Sequence, residues 1–167
     1  MKLTVGDVVV YAAYGVGRIV AKEKRVIVGA DREIVVLELA RGLTVTLPLE
    51  RALRQLRPPV DKADMRRVQH TLREAGTLSS DLWLKRRKAT QAKLKGGDPV
   101  ELAEVVRDGA QRVRALAARP SKPQLSPGEK DLYMRARQLL SEEIRVVRGV
   151  EEADADAWIE EQLGQAR

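Results

Sequence analysis

Arg57-Pro58-Pro59-Val60-Asp61-Lys62-Ala63-Asp64, residues 57–64, separates two kinds of pattern in this chain of 167 residues. Consecutive prolines lack amide donors and fix φ, so neither a sheet ladder nor a helix runs through them. Before them, apolar residues fall in short β-branched runs. After them, apolar residues recur every three or four positions. The first pattern is that of strands and the second that of helices. The expected fold is therefore α+β, a small antiparallel β domain over residues 1–52, a linker over 53–60 and an all-α helical domain over 61–167.

Reading back from the joint, Pro48 closes a series of strand-like runs, because it cannot donate to a ladder. The runs are Val8-Val9-Val10-Tyr11, Arg18-Ile19-Val20, Arg25-Val26-Ile27-Val28, Ile34 to Leu39 and Leu43 to Leu47. Turns are expected at Gly15-Val16-Gly17, Gly29-Ala30-Asp31 and Gly42. About five short strands in roughly fifty residues make a small barrel or curled sheet. An edge strand of such a sheet can accept a partner's strand through backbone hydrogen bonds. Gly15-Val16-Gly17 is too short for a dinucleotide fingerprint, and no helix follows it. Arg51, Arg54 and Arg57 lead into the joint at a spacing of three, one side of a helical turn if one forms. They read equally as a solvated face or as DNA contacts.

Reading forward, Asp61 to Asp64 opens a first helix with Met65, Val68 and Leu72 as its apolar stripe, ended by Gly76. Ser79 or Ser80 caps a second helix, stopped by Gly96-Gly97. Asp98-Pro99-Val100-Glu101 starts a third, with Leu102, Val105, Val106 and Val113 facing inward. After a loop at Pro120 to Pro123, Ser126-Pro127-Gly128-Glu129 has the form of a capping box. The helix it opens buries Leu132, Ala136, Leu139, Leu140, Ile144 and Val147. A last helix, about Glu151 to Leu163, carries Trp158, read as a packing residue.

Charge is spread unevenly along the chain. Residues 51–141 carry 21 Lys/Arg against 10 Asp/Glu, whereas residues 142–167 carry three against eight. The basic middle suggests a polyanionic partner. It is densest at Leu82-Trp83-Leu84-Lys85-Arg86-Arg87-Lys88, and no acid intervenes between Trp83 and Lys95. Cations neutralise phosphates and release counterions. A tryptophan can stack on bases or wedge between bases that are parting. The plainer alternative is a core tryptophan at a helix start, with its cations facing water.

Reactive constellations are missing from the sequence. There is no cysteine and a single histidine, His70, so thiolate and His-rich metal sites are excluded. No P-loop or nucleophile elbow is present. The carboxylates fall mostly at helix starts and in the last helix, which disfavours a carboxylate-based magnesium nuclease. No cofactor and no enzymatic activity are expected. No apolar run is long enough to span a membrane, and no signal-peptide core opens the chain.

Several blocks, in order, resemble the bacterial CarD/CdnL transcription regulators. They are Val5-Gly6-Asp7-Val8-Val9-Val10-Tyr11 with Tyr14-Gly15-Val16-Gly17, Trp83 with its basic followers, and Ala103-Glu104-Val105-Val106-Arg107-Asp108. Ser126-Pro127-Gly128-Glu129-Lys130 and Ala136-Arg137-Gln138-Leu139-Leu140 complete the set, which spans nearly the whole chain. The opening module is also shared with the transcription-repair coupling factor, whose motor motifs are absent here. The resemblance implies a Tudor-like (SH3-like) β-barrel domain that docks on the β1 lobe of the RNA polymerase β subunit. It implies a helical domain that meets promoter DNA at the upstream edge of the transcription bubble. There the tryptophan at the position of Trp83 wedges into the minor groove and stabilises the open complex, largely without regard to sequence.

On this resemblance Lys85, Arg86, Lys88 and Lys130 match family cations. Arg87 joins them as a DNA-binding candidate, though it stands where relatives have an aromatic residue. Arg25 and Ile27 match polymerase-contact positions. So does Thr46, which stands where relatives carry an arginine. Ala12 replaces a common proline, and the loop from Leu116 to Pro123 is longer than usual in the family. The expected protein is a monomeric, cytoplasmic, nucleoid-associated regulator of transcription initiation. The alternative is an autonomous, non-specific nucleic-acid-binding module, chromatin-like or ribosome-associated, that does not bind polymerase.

Overall fold

A computed structural model of the chain describes residues 1–165. Two compact units divide between Pro59 and Val60. The first contains β1 (Val8–Tyr11), a 3-10 turn (Ala12–Tyr14), β2 (Gly15–Ile27), β3 (Ala30–Leu39), β4 (Thr44–Pro48), α1 (Leu49–Gln55) and β5 (Leu56–Arg57). The strands form one antiparallel sheet in the order β4-β3-β2-β1-β5, so β4 and β5 are its edges. This is the Tudor-like, antiparallel half of the expected α+β fold.

Alternation explains its core. Val35, Leu37 and Leu39 share one face of β3 and pack with Val9, Ile19 and Leu47 from the neighbouring strands, Ala52 of α1 and Leu56. Gly17 is opposite Leu39, and a Cβ there would come 2.8 Å from the leucine Cδ2. The bare Cα at Gly17 leaves room for the Leu39 side chain in its observed position.

Three details of the strand reading are corrected. Residues 18–20 and 25–27 belong to one long strand, β2, with a register shift between Ile19 and Ala21 in place of a break. The hairpin turn is Val28-Gly29, since Ile27 already pairs with Ala30. Both turn residues have positive φ, 51° and 73°. That is the signature of a tight primed turn, which strains the β-branched Val28. Residues 53–57, read as linker, complete α1 and form β5, which pairs with β1. Arg51 and Arg54 do share a helix, but Arg57 lies beyond it in β5.

The second unit contains α2 (Lys62–Arg73), α3 (Trp83–Gly96), α4 (Pro99–Ala117), α5 (Pro127–Arg148) and α6 (Glu152–Gly164). Its core joins Val68 and Leu72 of α2, Leu102 and Val106 of α4, Leu139, Leu140 and Ile144 of α5, and Ile159 and Leu163 of α6. Each such side chain contributes about 1.5–3 kcal/mol on burial. Trp158 packs against this cluster, as expected, with the Arg148 guanidinium 5.1 Å from its ring centre.

The cap grammar holds at three helix starts. Asp61 accepts from the Asp64 amide, Asp98 from those of Val100 and Glu101, and Ser126 and Glu129 form a reciprocal capping box. Gly97 and Gly149 end α3 and α5 in the left-handed region.

The helical reading also needs corrections. Neither Ser79 nor Ser80 caps α3, which begins after Leu82 without a side-chain cap. Ser79 Oγ instead accepts from the Asp81 amide. Helix α2 ends at Arg73, and Gly76 lies against α4, where a Cβ would come 2.6 Å from the Gln111 Cβ. Val113 is exposed, and α4 buries Ala110 and Leu116 instead. No helix among the described residues is long and apolar enough to cross a membrane.

Candidate nucleic-acid interface

The segment between α2 and α3 is fastened before it reaches Trp83. Asp108 of α4 accepts from the Thr77 amide at 3.0 Å, and Arg107 beside it pairs with Glu74 at 3.0 Å. Helix α3 then opens at Trp83. Its ring is half-buried but lies outside the hydrophobic core cluster. It is not the core anchor that the plainer sequence reading allowed. The ring edge lies over the start of α5, where a Cβ at Gly128 would sit 3.3 Å from the ring's Cζ2. Its other neighbour is the Arg86 guanidinium, 5.5 Å from the ring centre. Trp83 forms one wall of a cleft of about 270 Å³ whose other walls include Arg112, Leu132 and Tyr133.

The predicted cations separate into two groups. Arg86 is turned inward: its Nη1 is 2.9 Å from Glu129 Oε1, and its Nε donates to the Asp81 carbonyl at 3.1 Å. Only 20% of its side chain is exposed. Arg112 Nε of α4 approaches the same Glu129 oxygen at 2.9 Å. Burial by itself would raise the Glu129 pKa. Arg112, Arg86 and the Ser126 amide outweigh burial and hold this carboxyl below the usual range.

Lys85, Arg87, Lys88 and Lys130 are exposed. Lys85 makes a loose pair with Asp81 at 3.4 Å, while Arg87, Lys88 and Lys130 have no ion-pair partner among the described residues. The packing of α3 on the start of α5 brings Lys130 to the same end of the unit as Trp83. Lys93 is spent on Glu104 of α4 at 2.6 Å.

Two residues were missed from sequence. Leu82 and Leu84, flanking Trp83, are 83% and 74% exposed. Apolar side chains placed in water beside a tryptophan and free cations form an amphipathic tip. The signal was present: Leu82 and Leu84 sit in the most basic stretch of the chain, where no core face is available to cover them.

In the β unit, register places Arg25, Ile27 and Thr46 on one face. Arg25 pairs with Arg32, Ile27 with Ala30, and Thr46 with Val36, and the three β3 partners have the same parity. All three side chains are exposed, with Arg25 held to Glu23 at 3.0 Å. Thr46 lies on the edge strand β4.

The lone histidine, His70, is exposed with its Nδ1 3.1 Å from Glu74. Among the described residues no group of three or more His, Cys, Asp or Glu side chains is gathered as for a metal ion. The site thus offers cations, an aromatic ring and apolar tips: the chemistry of binding a polyanion with exposed bases.

Comparison with known proteins agrees with this division. A family model described as the CarD C-terminal domain matches residues 67–160, and one described as the CarD-like/TRCF RID domain matches residues 3–60. A Bacillus subtilis (strain 168) protein named "Putative transcription factor YdeB" is 27% identical over 150 residues, covering 89% of this chain and 94% of that protein.

Proposed function

The chain belongs to the CarD-like transcription factor family, and on that footing we propose that it docks on the β1 lobe of the RNA polymerase β subunit and stabilises the open promoter complex with Trp83. The observation that carries this reading is the state of Trp83. It is an aromatic ring outside the core, at a helix start, flanked by exposed leucines and followed by Arg87 and Lys88, which have no ion-pair partner among the described residues.

Physics favours a tethered wedge over an independent binder. Phosphate contacts position a protein but carry little sequence information, and α3 presents none of the Asn or Gln arrays that read base edges. Lys85, Arg87, Lys88 and Lys130 therefore bind DNA weakly and without address. Attachment to polymerase through Arg25, Ile27 and Thr46 raises their effective concentration at the promoter. Thr46 offers a hydroxyl where the family has an arginine, so this docking face leans more on Arg25 and on apolar contact at Ile27.

Trp83 then discriminates between promoter states. Wedging costs a few kcal/mol per unstacked step in closed duplex, and less where the strands have parted. A ligand shifts an equilibrium only by its differential affinity for the two states. Trp83, with Leu82 and Leu84 beside it, supplies that difference. In this account Trp83→Ala leaves polymerase binding intact and removes about 1–3 kcal/mol of stacking. The open-complex lifetime, followed by competitor challenge, then falls roughly fivefold to a hundredfold. An unchanged lifetime removes the wedge role.

A further inference from the structure

We propose that Glu129 is a positioning residue for Trp83, acting through Arg86, and that Arg86 serves the DNA interface as the support of the ring and not as a phosphate contact. The inference rests on the wedge role proposed above and specifies what holds the wedge in place.

Glu129 occupies a junction of three helices. At the start of α5 its Oε2 accepts from the Ser126 hydroxyl and amide, at 3.2 and 3.3 Å, which closes the capping box. Its Oε1 faces Arg86 of α3 and Arg112 of α4, each at 2.9 Å. Its side chain is only 12% exposed, so these pairs are poorly screened by solvent. Arg86 is held at a second point by the Asp81 carbonyl, immediately before α3. A guanidinium fixed at both points has one place to lie, and that place is 5.5 Å from the centre of the Trp83 ring. On the α5 side the ring passes so near Gly128 that a Cβ there would sit 3.3 Å from its Cζ2. Trp83 is thus bracketed by the backbone beside Glu129 on one side and by the arginine that Glu129 holds on the other.

This arrangement reverses the sign of an obvious expectation. If Arg86 were a phosphate contact restrained by Glu129, removing the carboxylate would free a cation and strengthen DNA binding. If Glu129 positions the ring, removing it loosens the wedge and weakens open-complex binding.

Glu129→Gln separates the roles, because glutamine serves in a capping box as glutamate does but cannot pair ionically with Arg86. In a Trp158→Phe background Trp83 is the sole tryptophan, the chain having two. The test compares Glu129→Gln, Arg86→Met and the double variant, by open-complex lifetime on the polymerase–promoter complex with Trp83→Ala as reference, and by Trp83 emission on the isolated protein. Expected are an open-complex lifetime shorter by about twofold to fivefold in each single variant, a changed Trp83 emission or anisotropy, and a double variant no worse than either single one. A lifetime equal to or longer than wild type in Glu129→Gln overturns the proposal, as does a shortened lifetime with unaltered Trp83 emission. Should Glu129→Gln fail to fold, Arg86→Met carries the same test. An effect of Trp83→Ala without effects of the other two refutes the positioning role alone, whereas a silent Trp83→Ala refutes the wedge itself.

Discussion

At the residue scale, the chemistry of the interface depends on which charged groups are already satisfied. Six residues separate Trp83 from Thr90, and four of them are basic. They are not equivalent: Arg86 is committed to Glu129 while Arg87 and Lys88 face water. Glu129 also links this cluster to acid stability. Its pKa is depressed when folded, so its ionised form stabilises the helical unit fully above the ordinary glutamate range. That contribution disappears as pH falls through the lower folded value. The stability difference between wild type and Glu129→Gln, followed by circular dichroism during denaturation, is therefore expected to be constant near neutrality. It should shrink steadily below about pH 5. A difference that grew on acidification would contradict the assigned direction. None of this was legible in sequence, because Glu129 lies 43 positions from Arg86. Nothing local distinguishes an arginine that turns inward from its neighbours that do not.

At the element scale, local grammar was legible and tertiary choice was not. Asp98-Pro99 and Ser126-Pro127-Gly128-Glu129 announce helix starts because a side chain within three residues satisfies the orphan amides. Ser79 and Ser80 carry the same chemistry but cap nothing, since Asp108 of α4 holds the preceding segment by its Thr77 amide. Likewise β5 is two residues long and exists only because β1 offers it a partner. Packing also overrides propensity at Gly109 of α4. An alanine there would gain about 0.5–1 kcal/mol as a helix former, but its Cβ would run into the ring of Tyr133. That ring is itself restrained, because the Tyr133 hydroxyl accepts from Arg137, which is clamped by Asp156 and Glu160 of α6. Overpacking of this kind costs about 1–3 kcal/mol. Gly109→Ala is therefore expected to lower Tm by several degrees in a thermal melt. A raised Tm would show that Tyr133 can move aside.

At the scale of the whole molecule, the proposed function divides the labour of recognition between the two units. The β unit carries little net charge, with seven Lys/Arg against six Asp/Glu in residues 1–50, and suits an address read by shape and strand edge. The helical unit carries the excess of positive charge and the aromatic tip. The acidic charge of α6 is partly compensated within the unit, since Asp156 and Glu160 are engaged by Arg137. The central claim is that docking supplies concentration and Trp83 supplies the preference for open DNA. The most direct test is the open-complex lifetime measured against protein concentration for wild type, Arg25→Glu and Trp83→Ala. The account predicts that Arg25→Glu shifts the half-saturating concentration upward and reaches the wild-type plateau. Trp83→Ala, in contrast, saturates at the wild-type concentration with a lower plateau. A lowered plateau for Arg25→Glu with no shift in half-saturation, or a full plateau for Trp83→Ala, would contradict it.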